Sequence, residues 1–382
     1  MINEMELEKW FESTFERRGE PTRDFLTLIT LATADNRMDV IAWLISQRSD
    51  LKADINAKNI EVGGVRGTLL HFFAISGFVE GIKWLKKEYG ANVDAQNYKG
   101  ETPICVAAMA GKIGSIKCLK ELGANVDMGD NDGCSPMHSA VIGEKIESMK
   151  CLKELGADIN IRDNNDYSSM DIAAMYGKIE SIKCLAELGV DVRDAKGAAP
   201  MFWAAHAGEV ESIKCLKSLG ANVNSKNEII GLAPIFAAAK GGKTESIKCL
   251  VELGADVNAR DKDGAVPMYW AAMAGKVESI KCLKALGADL KAKDKNGATP
   301  IFPAAEEGHA ECIKYLVELG ANVNEEANNG MTPIFFAVAG SRIESMKCLK
   351  ALGAKIDSMA LMDIAVRRGQ TEAVEWLRAN GA

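Results

Sequence analysis

The 382-residue chain has no Cys-x-x-Cys pair among its ten cysteines, so zinc-ribbon and thioredoxin-like sites find no support in it. It has no apolar run near the roughly 20 residues that a bilayer span requires, and a membrane is not among its expected partners. Its first residues, Met1 to Trp10, are acidic and lack the basic n-region and apolar core of a secretory signal. A cytoplasmic protein is expected, or one delivered to a host cytosol without a classical signal peptide. Concentrated positive charge is missing too. The net charge is −7 with no basic stripe, a poor match to a polyphosphate backbone, and nucleic acid is not expected as a partner. Only four histidines occur, His71, His138, His206 and His309, and they lie far apart. No His-Glu-x-x-His or Gly-x-Ser-x-Gly motif accompanies them. No nucleophile, base and oxyanion set stands out, so the chain reads as neither an enzyme nor a holder of metal or cofactor.

What is present is repetition. Glu-Ser-Ile-Lys-Cys-Leu-Lys-x-Leu-Gly recurs, with small changes, at 180–189, 211–220, 245–254 and 278–287. A proline stands eight residues before a glycine at Pro103 and Gly111, Pro200 and Gly208, Pro267 and Gly275, and Pro300 and Gly308. The usual step between units is 33 residues. Cys118, Cys151, Cys184, Cys215, Cys249, Cys282 and Cys348 share one slot of this frame. Packed helices lie roughly 8–10 Å apart, beyond the roughly 7 Å Cα limit for a disulfide. These cysteines therefore read as small buried side chains in a reducing compartment. A hydrophobic content of 47% is enough to bury a core between units.

One unit reads Asp261-Lys-Asp-Gly264-Ala-Val-Pro267-Met-Tyr-Trp-Ala271-Ala272-Met-Ala-Gly275, then Glu278-Ser-Ile-Lys281-Cys-Leu283, then Gly287-Ala-Asp289. This resembles the ankyrin pattern, and the resemblance runs from about residue 25 to 382 in some eleven units. It implies an all-α repeat solenoid, a curved, right-angled array of stacked helix-turn-helix repeats with β-hairpin loops. It also implies that a histidine in the Thr-Pro-x-His slot ties neighbouring repeats. That slot holds His71 and His138, but Cys105, Asp171, Phe202, Phe236, Tyr269, Phe302, Phe335 and Asp363 elsewhere. An aromatic ladder is expected from Phe202 to Phe335. By the same resemblance, hairpin residues Asn160, Asn224, Asn258 and Asn324 match positions that asparaginyl hydroxylases modify.

Each slot has a physical reason. Thr102 or Thr332 can cap the first helix, and Pro103 or Pro333 sits where a missing N–H costs nothing. The alanine pairs let helices approach closely. Gly111 and Gly275 suit a turn with positive φ. Ile280, Leu283 and Leu286 form one stripe of the second helix. A single unit cannot bury its apolar face, so stacking supplies the core.

Four segments are expected. Residues 1–19 form an amphipathic capping helix, with Leu7, Trp10, Phe11 and Phe15 on one face. Residues 20–66 form a degenerate capping repeat with a long glycine-rich hairpin containing Gly63, Gly64 and Gly67. Nine repeats fill 67–357, and a charged capping repeat fills 358–382. Irregular spacing between Gly189 and Gly197, and between Gly220 and Gly231, marks the middle.

The resemblance places partner binding on a concave face of hairpin tips and first helices. The slots on that face are Tyr98, Lys99, Glu101, Met109, Asn131, Asp132, Ile142, Tyr167, Met175 and Tyr176, a composition suited to binding hot spots. Further along they are His206, Lys240 and Met273, and then the acidic pair Glu306 and Glu307. Trp203 and Trp270, in the slot before, read as core. The expected function is a monomeric scaffold that binds a protein or peptide. One form of it is a host-directed effector. The alternative is a structural spacer or self-assembling array without a partner groove.

Overall fold

A computed structural model describes Glu6, Lys9, Trp10 and Ser13, then residues 25–48, 54–57, 60–62, 65–192, 200–227, 231–356 and 358–380. The chain divides into two compact units. One comprises Met1–Ser169 with Lys183–Val190, and the other Met170–Ile182 with Asp191–Ala382.

Within the first unit lie α1 (Phe25–Ala34) and α2 (Met38–Ser46), a short ladder of β1 (Ile60–Val62) and β2 (Val65–Gly67), then α3 (Leu69–Ser76), α4 (Val79–Tyr89), α5 (Pro103–Ala110), α6 (Ile113–Glu121), α7 (Pro136–Ile142) and α8 (Ile146–Glu154). Helices α9 (Ser169–Met175) and α10 (Ile179–Glu187) fall where the chain is divided between units. The second unit continues with α11 (Pro200–Ala207), α12 (Val210–Ser218), α13 (Pro234–Gly241), α14 (Thr244–Glu252), α15 (Pro267–Met273), α16 (Val277–Ala285), α17 (Ile301–Glu307), α18 (Ala310–Glu318), α19 (Pro333–Ala339), α20 (Ile343–Ala351), α21 (Ser358–Arg367) and α22 (Thr371–Ala379). The described residues thus hold eleven helix pairs. First helices pack in a row, α3 on α5 on α7 in one unit and α11 through α21 in the other. Second helices form a parallel row, α4 on α6 on α8 and α12 through α22. This is an all-α repeat solenoid.

The sequence dictates each pair. Proline opens α5, α7, α11, α13, α15 and α19 at the first turn, where its absent N–H has no helical partner to lose. The threonines before them sit in the N-cap position, but their hydroxyls do not cap. The Thr102 hydroxyl donates instead to the Cys105 sulfur at 3.2 Å, and that of Thr332 makes no cap bond to its helix. Gly111 closes α5 with φ of +76°, a conformation that costs glycine nothing. The core lies between the two helix rows. Ile116, Ile213, Ile247, Ile280 and Ile313, with Leu119, Leu216, Leu250, Leu283 and Leu316, are wholly buried.

A column of serines shares that core. Ser115, Ser148, Ser181, Ser212, Ser246, Ser279 and Ser345 are buried, and their hydroxyls find no hydrogen-bond partner among the described residues. An unsatisfied buried hydroxyl costs about 1–3 kcal/mol. Ser279→Ala removes that cost with little change of volume, so it should raise stability by about 1 kcal/mol. Urea unfolding would show a higher midpoint at unchanged slope, and a lower midpoint would mean that the hydroxyl is satisfied.

The outer side of the second helices repeats one ion pair. Glu147–Lys150 is 3.2 Å long, and Glu211–Lys214, Glu245–Lys248, Glu278–Lys281, Glu311–Lys314 and Glu344–Lys347 are each 2.7 Å. All are exposed (i, i+3) pairs, each worth a few tenths of a kcal/mol, about 0.3–0.5. All ten cysteines are free thiols. Burial raises the Cys312 thiol to about 11, with Glu311 adding to the effect, which leaves it a packing residue.

The expected β-hairpin loops are mostly not β. Among the described residues a ladder forms only at β1–β2, with Ile60 opposite Gly67, and an isolated bridge joins Arg162 to Ser168. Gly63 and Gly64, which link the two strands, lie outside the described residues. Elsewhere the loop hydrogen bonds go to side chains and to the next loop, so no ladder is needed. The capping helix expected over 1–19 lies largely outside the described residues, including Leu7, Phe11 and Phe15. Trp10 is buried, and its indole N–H donates to Asp35 Oδ2 at 3.2 Å. Both irregular spacings fall largely at 193–199 and 228–230, also outside the described residues.

Candidate protein-binding surface

The loop tips are built by aspartate. Asp130 Oδ1 accepts the N–H groups of Asp132 at 3.0 Å and Cys134 at 2.8 Å. Asp163, Asp261 and Asp294 repeat this turn, and Asn97 does so in the first full unit. Side-chain bonding of this kind replaces a backbone turn. Successive tips are then tied together. Asn131 N donates to Lys99 O at 3.0 Å, Asn164 N to Asp132 O at 2.9 Å, and Asn328 N to Asn296 O at 2.8 Å. Side-chain amides of Asn131, Asn164 and Asn328 add a second bond to the same neighbours.

One step back along each loop, a second set of amides spans repeats. Asn258 Oδ1 accepts Asp289 N at 2.8 Å, while its Nδ2 donates to Gly287 O at 3.4 Å. Asn224 and Asn324 do the same. The loop edge is therefore a rail whose geometry is fixed by hydrogen bonds, and it presents its remaining side chains rigidly.

In the first unit the rail presents Tyr98, 62% exposed, beside Lys99, Asn131 and Asp132, all exposed. The first helices present Ile142, 43% exposed, and the half-buried Met109. Tyr167 is half-buried, and its carbonyl accepts from His138 Nε2 at 3.2 Å. Glu101 does not belong to the surface. It is only 9% exposed, and its carboxylate accepts the Asn97 amide at 2.7 Å while its N–H bonds back to Asn97. The residue after the loop glycine turns inward to close the Asn97 turn, which makes Glu101 structural.

The two histidines in the Thr-Pro-x-His slot tie repeats, as the resemblance implied. Ser135 N donates to His138 Nδ1 at 3.1 Å, so Nδ1 accepts and Nε2 carries the proton given to Tyr167 O. His71 sits likewise between Thr68 and the Glu101 carbonyl, 2.9 Å away. Burial pushes the His138 imidazole below its ordinary 6.5, against the opposing pull of the Tyr167 carbonyl, Asp163 and Asp130. The unfolded chain therefore takes this proton first as pH falls. Stability from His138 is complete above 6.5 and is lost as pH drops from there towards the folded value. His138→Cys, copying the Thr102–Cys105 arrangement, should flatten this part of the profile. Urea titrations at pH 7.5 and 5.5 would show a smaller difference for the variant, and equal differences would remove His138 as the cause.

In the second unit the first-helix face presents Tyr176, 62% exposed, with Met175, His206, Lys240, Met273, Glu306 and Glu307. Met273 is half-buried, and its carbonyl accepts from His309 Nε2 at 3.1 Å. Glu307 is shared with Arg342 at 3.6 Å, whose Nε also donates to Glu306 O at 2.9 Å.

Trp203 and Trp270, read as core from sequence, both lie half-buried on this face. The Trp270 indole N–H donates to Asp261 Oδ2 at 2.9 Å, and Lys240 Nζ sits 5.1 Å from its ring centroid. Trp203 meets His206 edge-on at 6.1 Å. The spacing signal was available: both stand three residues before a surface slot, which places them on the same helix face.

The aromatic ladder does not form. Among the described residues, no ring contact links Phe202 to Phe236, Phe236 to Tyr269, or Tyr269 to Phe302. Among the described residues a ring contact between repeats joins the buried Phe302 to Phe336 at 5.7 Å. Equivalent slots lie one helix spacing apart, roughly 8–10 Å, too far for rings that point the same way. The Tyr269 phenol is raised to about 12 by burial, with the negative field of Asp294, Glu306, Asp261 and Asp263 adding to it.

Among the described residues no group of three His, Cys, Asp or Glu side chains could hold a metal ion. Among the described residues no helix is long and apolar enough to cross a membrane.

Helix pairs stacked in rows, linked by hydrogen-bonded loop tips and exposing a different side-chain set at each step, define a helical repeat solenoid. The family model for ankyrin repeats matches three stretches, 70–163, 226–294 and 268–360, together more than half of the chain, and the chain belongs to the ankyrin-repeat family. Ankyrin repeats are in general modules of protein–protein interaction. No curated protein matches the chain.

Proposed function

We propose that the chain is a non-enzymatic scaffold that binds a protein or peptide through its loop tips and first helices. One observation carries this reading. The outer face of the second helices repeats the same Glu–Lys pair from unit to unit. At one fixed slot the first helices instead present Met109, Ile142, Met175, His206, Lys240, Met273 and Glu306. A solvated face needs only charge, and it tolerates monotony. A recognition face needs particular side chains at particular places, with exposed aromatic and Met residues among them. A monomer in a cytosol, which includes a host cytosol reached without a signal peptide, fits the free thiols and the unmatched surface. The segments 1–19, 20–66 and 358–382 are proposed as caps of the array, with Trp10 on Asp35 as the anchor of the first.

Capture from lysate tests the reading. The intact chain is compared with a variant carrying Tyr98→Ala, Ile142→Ala and Tyr176→Ala, all exposed positions whose loss leaves the fold in place. A partner retained by the intact chain and lost by the equally helical variant supports a binding face. Equal recovery opposes it, and no specific partner favours the structural-array alternative.

A further inference from the structure

The second unit carries a regular alternation that its repeat frame does not require. At the third residue after the opening proline slot, successive first helices α11, α13, α15, α17 and α19 place Trp203, Ala237, Trp270, Pro303 and Phe336. Large aromatic side chains, all half-buried, alternate with small buried ones. Because these helices pack in order, the small Ala237 stands between two tryptophans and Pro303 between Trp270 and Phe336, an arrangement that leaves room for a well at each.

The wells differ in charge. The rim of the first holds His206 from α11 and Lys240 from α13, one helical turn beyond their respective Trp203 and Ala237. Lys243 lies beside them, its side chain running along Gly208 and Gly241. Its positive field and that of Lys240 reach the His206 ring, adding to the effect of burial in holding that imidazole below its ordinary value. Neither lysine has an ion-pair partner among the described residues. Lys240 is held over the Trp270 ring, which in turn is fixed by Asp261. The rim of the second well holds Glu306, one turn beyond Pro303 and exposed, also without an ion-pair partner among the described residues. Asp261, Asp263 and Asp294 share the field around Tyr269, while Glu307 is already committed to Arg342.

We infer that the second unit reads an extended peptide carrying an acidic side chain, seated between Trp203 and Trp270, and a basic side chain, seated between Trp270 and Phe336. The proposal rests on the protein-binding reading above and specifies its ligand. Spacing follows from the frame. The two wells are two helix steps apart, roughly 16–20 Å at 8–10 Å per step. An extended chain rises about 3.3 Å per residue, so the two charges are separated by about five or six positions. The tryptophans supply apolar walls that exclude water from the ion pairs and so strengthen them.

A phage-displayed library of random twelve-residue peptides, selected on the intact chain, tests this. Enriched sequences should carry an acid and a base about five or six positions apart. Lys240→Glu with Lys243→Glu should weaken a selected peptide by at least about tenfold, and Glu306→Lys should do so for peptides keeping the base. Both variants change exposed or half-exposed positions, and unchanged circular dichroism confirms their fold. Enrichment without the paired charges, or affinity unmoved by the reversals, overturns this proposal and leaves the broader protein-binding reading standing. An absence of enriched peptides also overturns it, and the lysate capture then judges the broader reading separately.

Discussion

Phe236→Ala should lower the stability of the second unit by about 3–5 kcal/mol, the cost of emptying a buried aromatic site. Phe236 has no accessible surface and sits on α13, in contact with α11 and α15. In a repeat stack each interface contributes separately, and this one side chain belongs to the middle of the row. Phe335 occupies the same slot two repeats from Tyr269, yet it is half-exposed. Its replacement by alanine should cost less, about 1–2 kcal/mol, because less apolar area leaves water. Urea unfolding of the two variants side by side measures the difference. Equal losses would show that slot identity, not burial, sets the cost.

Gly133→Ala should destabilise the first unit by about 2–3 kcal/mol, through strain at positive φ plus a collision. Gly133 has φ of +81°, and a methyl group there would stand 2.7 Å from Asn164 N and 2.6 Å from Asn164 Oδ1. Relief requires moving the tip that bonds Asn164 N to Asp132 O at 2.9 Å. The rail and the adjoining surface at Asn131 and Asp132 would shift with it. Gly156 provides the control. It has φ of +89° but nothing within 4 Å of the added methyl, so Gly156→Ala should cost only the conformational part, about 1 kcal/mol. Thermal unfolding separates the two, and similar losses would mean that tip contacts add nothing.

Most of the fold was legible because repetition amplifies weak signals. Pro103, Gly111 and Cys118 alone say little, but the same residues at the same spacing in successive units fix helix starts, turns and core slots. The loops were legible only in part. The aspartate of Asp-x-x-Gly marks a turn, but nothing in one unit shows that Asp130 spends its oxygen on the loop and that Asn131 and Asn164 bind the neighbouring tip. Those bonds depend on the stacking distance between units, which single-unit patterns do not contain. The same limit explains Glu101, which turns inward to Asn97 against a surface expectation, and the aromatic slots, whose rings do not stack. Trp203 and Trp270 were misplaced for a different reason. Size suggested core, whereas helix geometry puts them on the face that carries His206 and Met273.

The most direct test of the central claim is site-specific photocrosslinking in lysate, with a benzophenone side chain placed at one position per variant. Tyr176, His206 and Met273 sample the first-helix face, and Lys214 and Lys281 sample the outer face of the second helices. The account predicts discrete protein adducts at the first three positions and none at the last two. Adducts at Lys214 and Lys281, with none on the first-helix face, would contradict it.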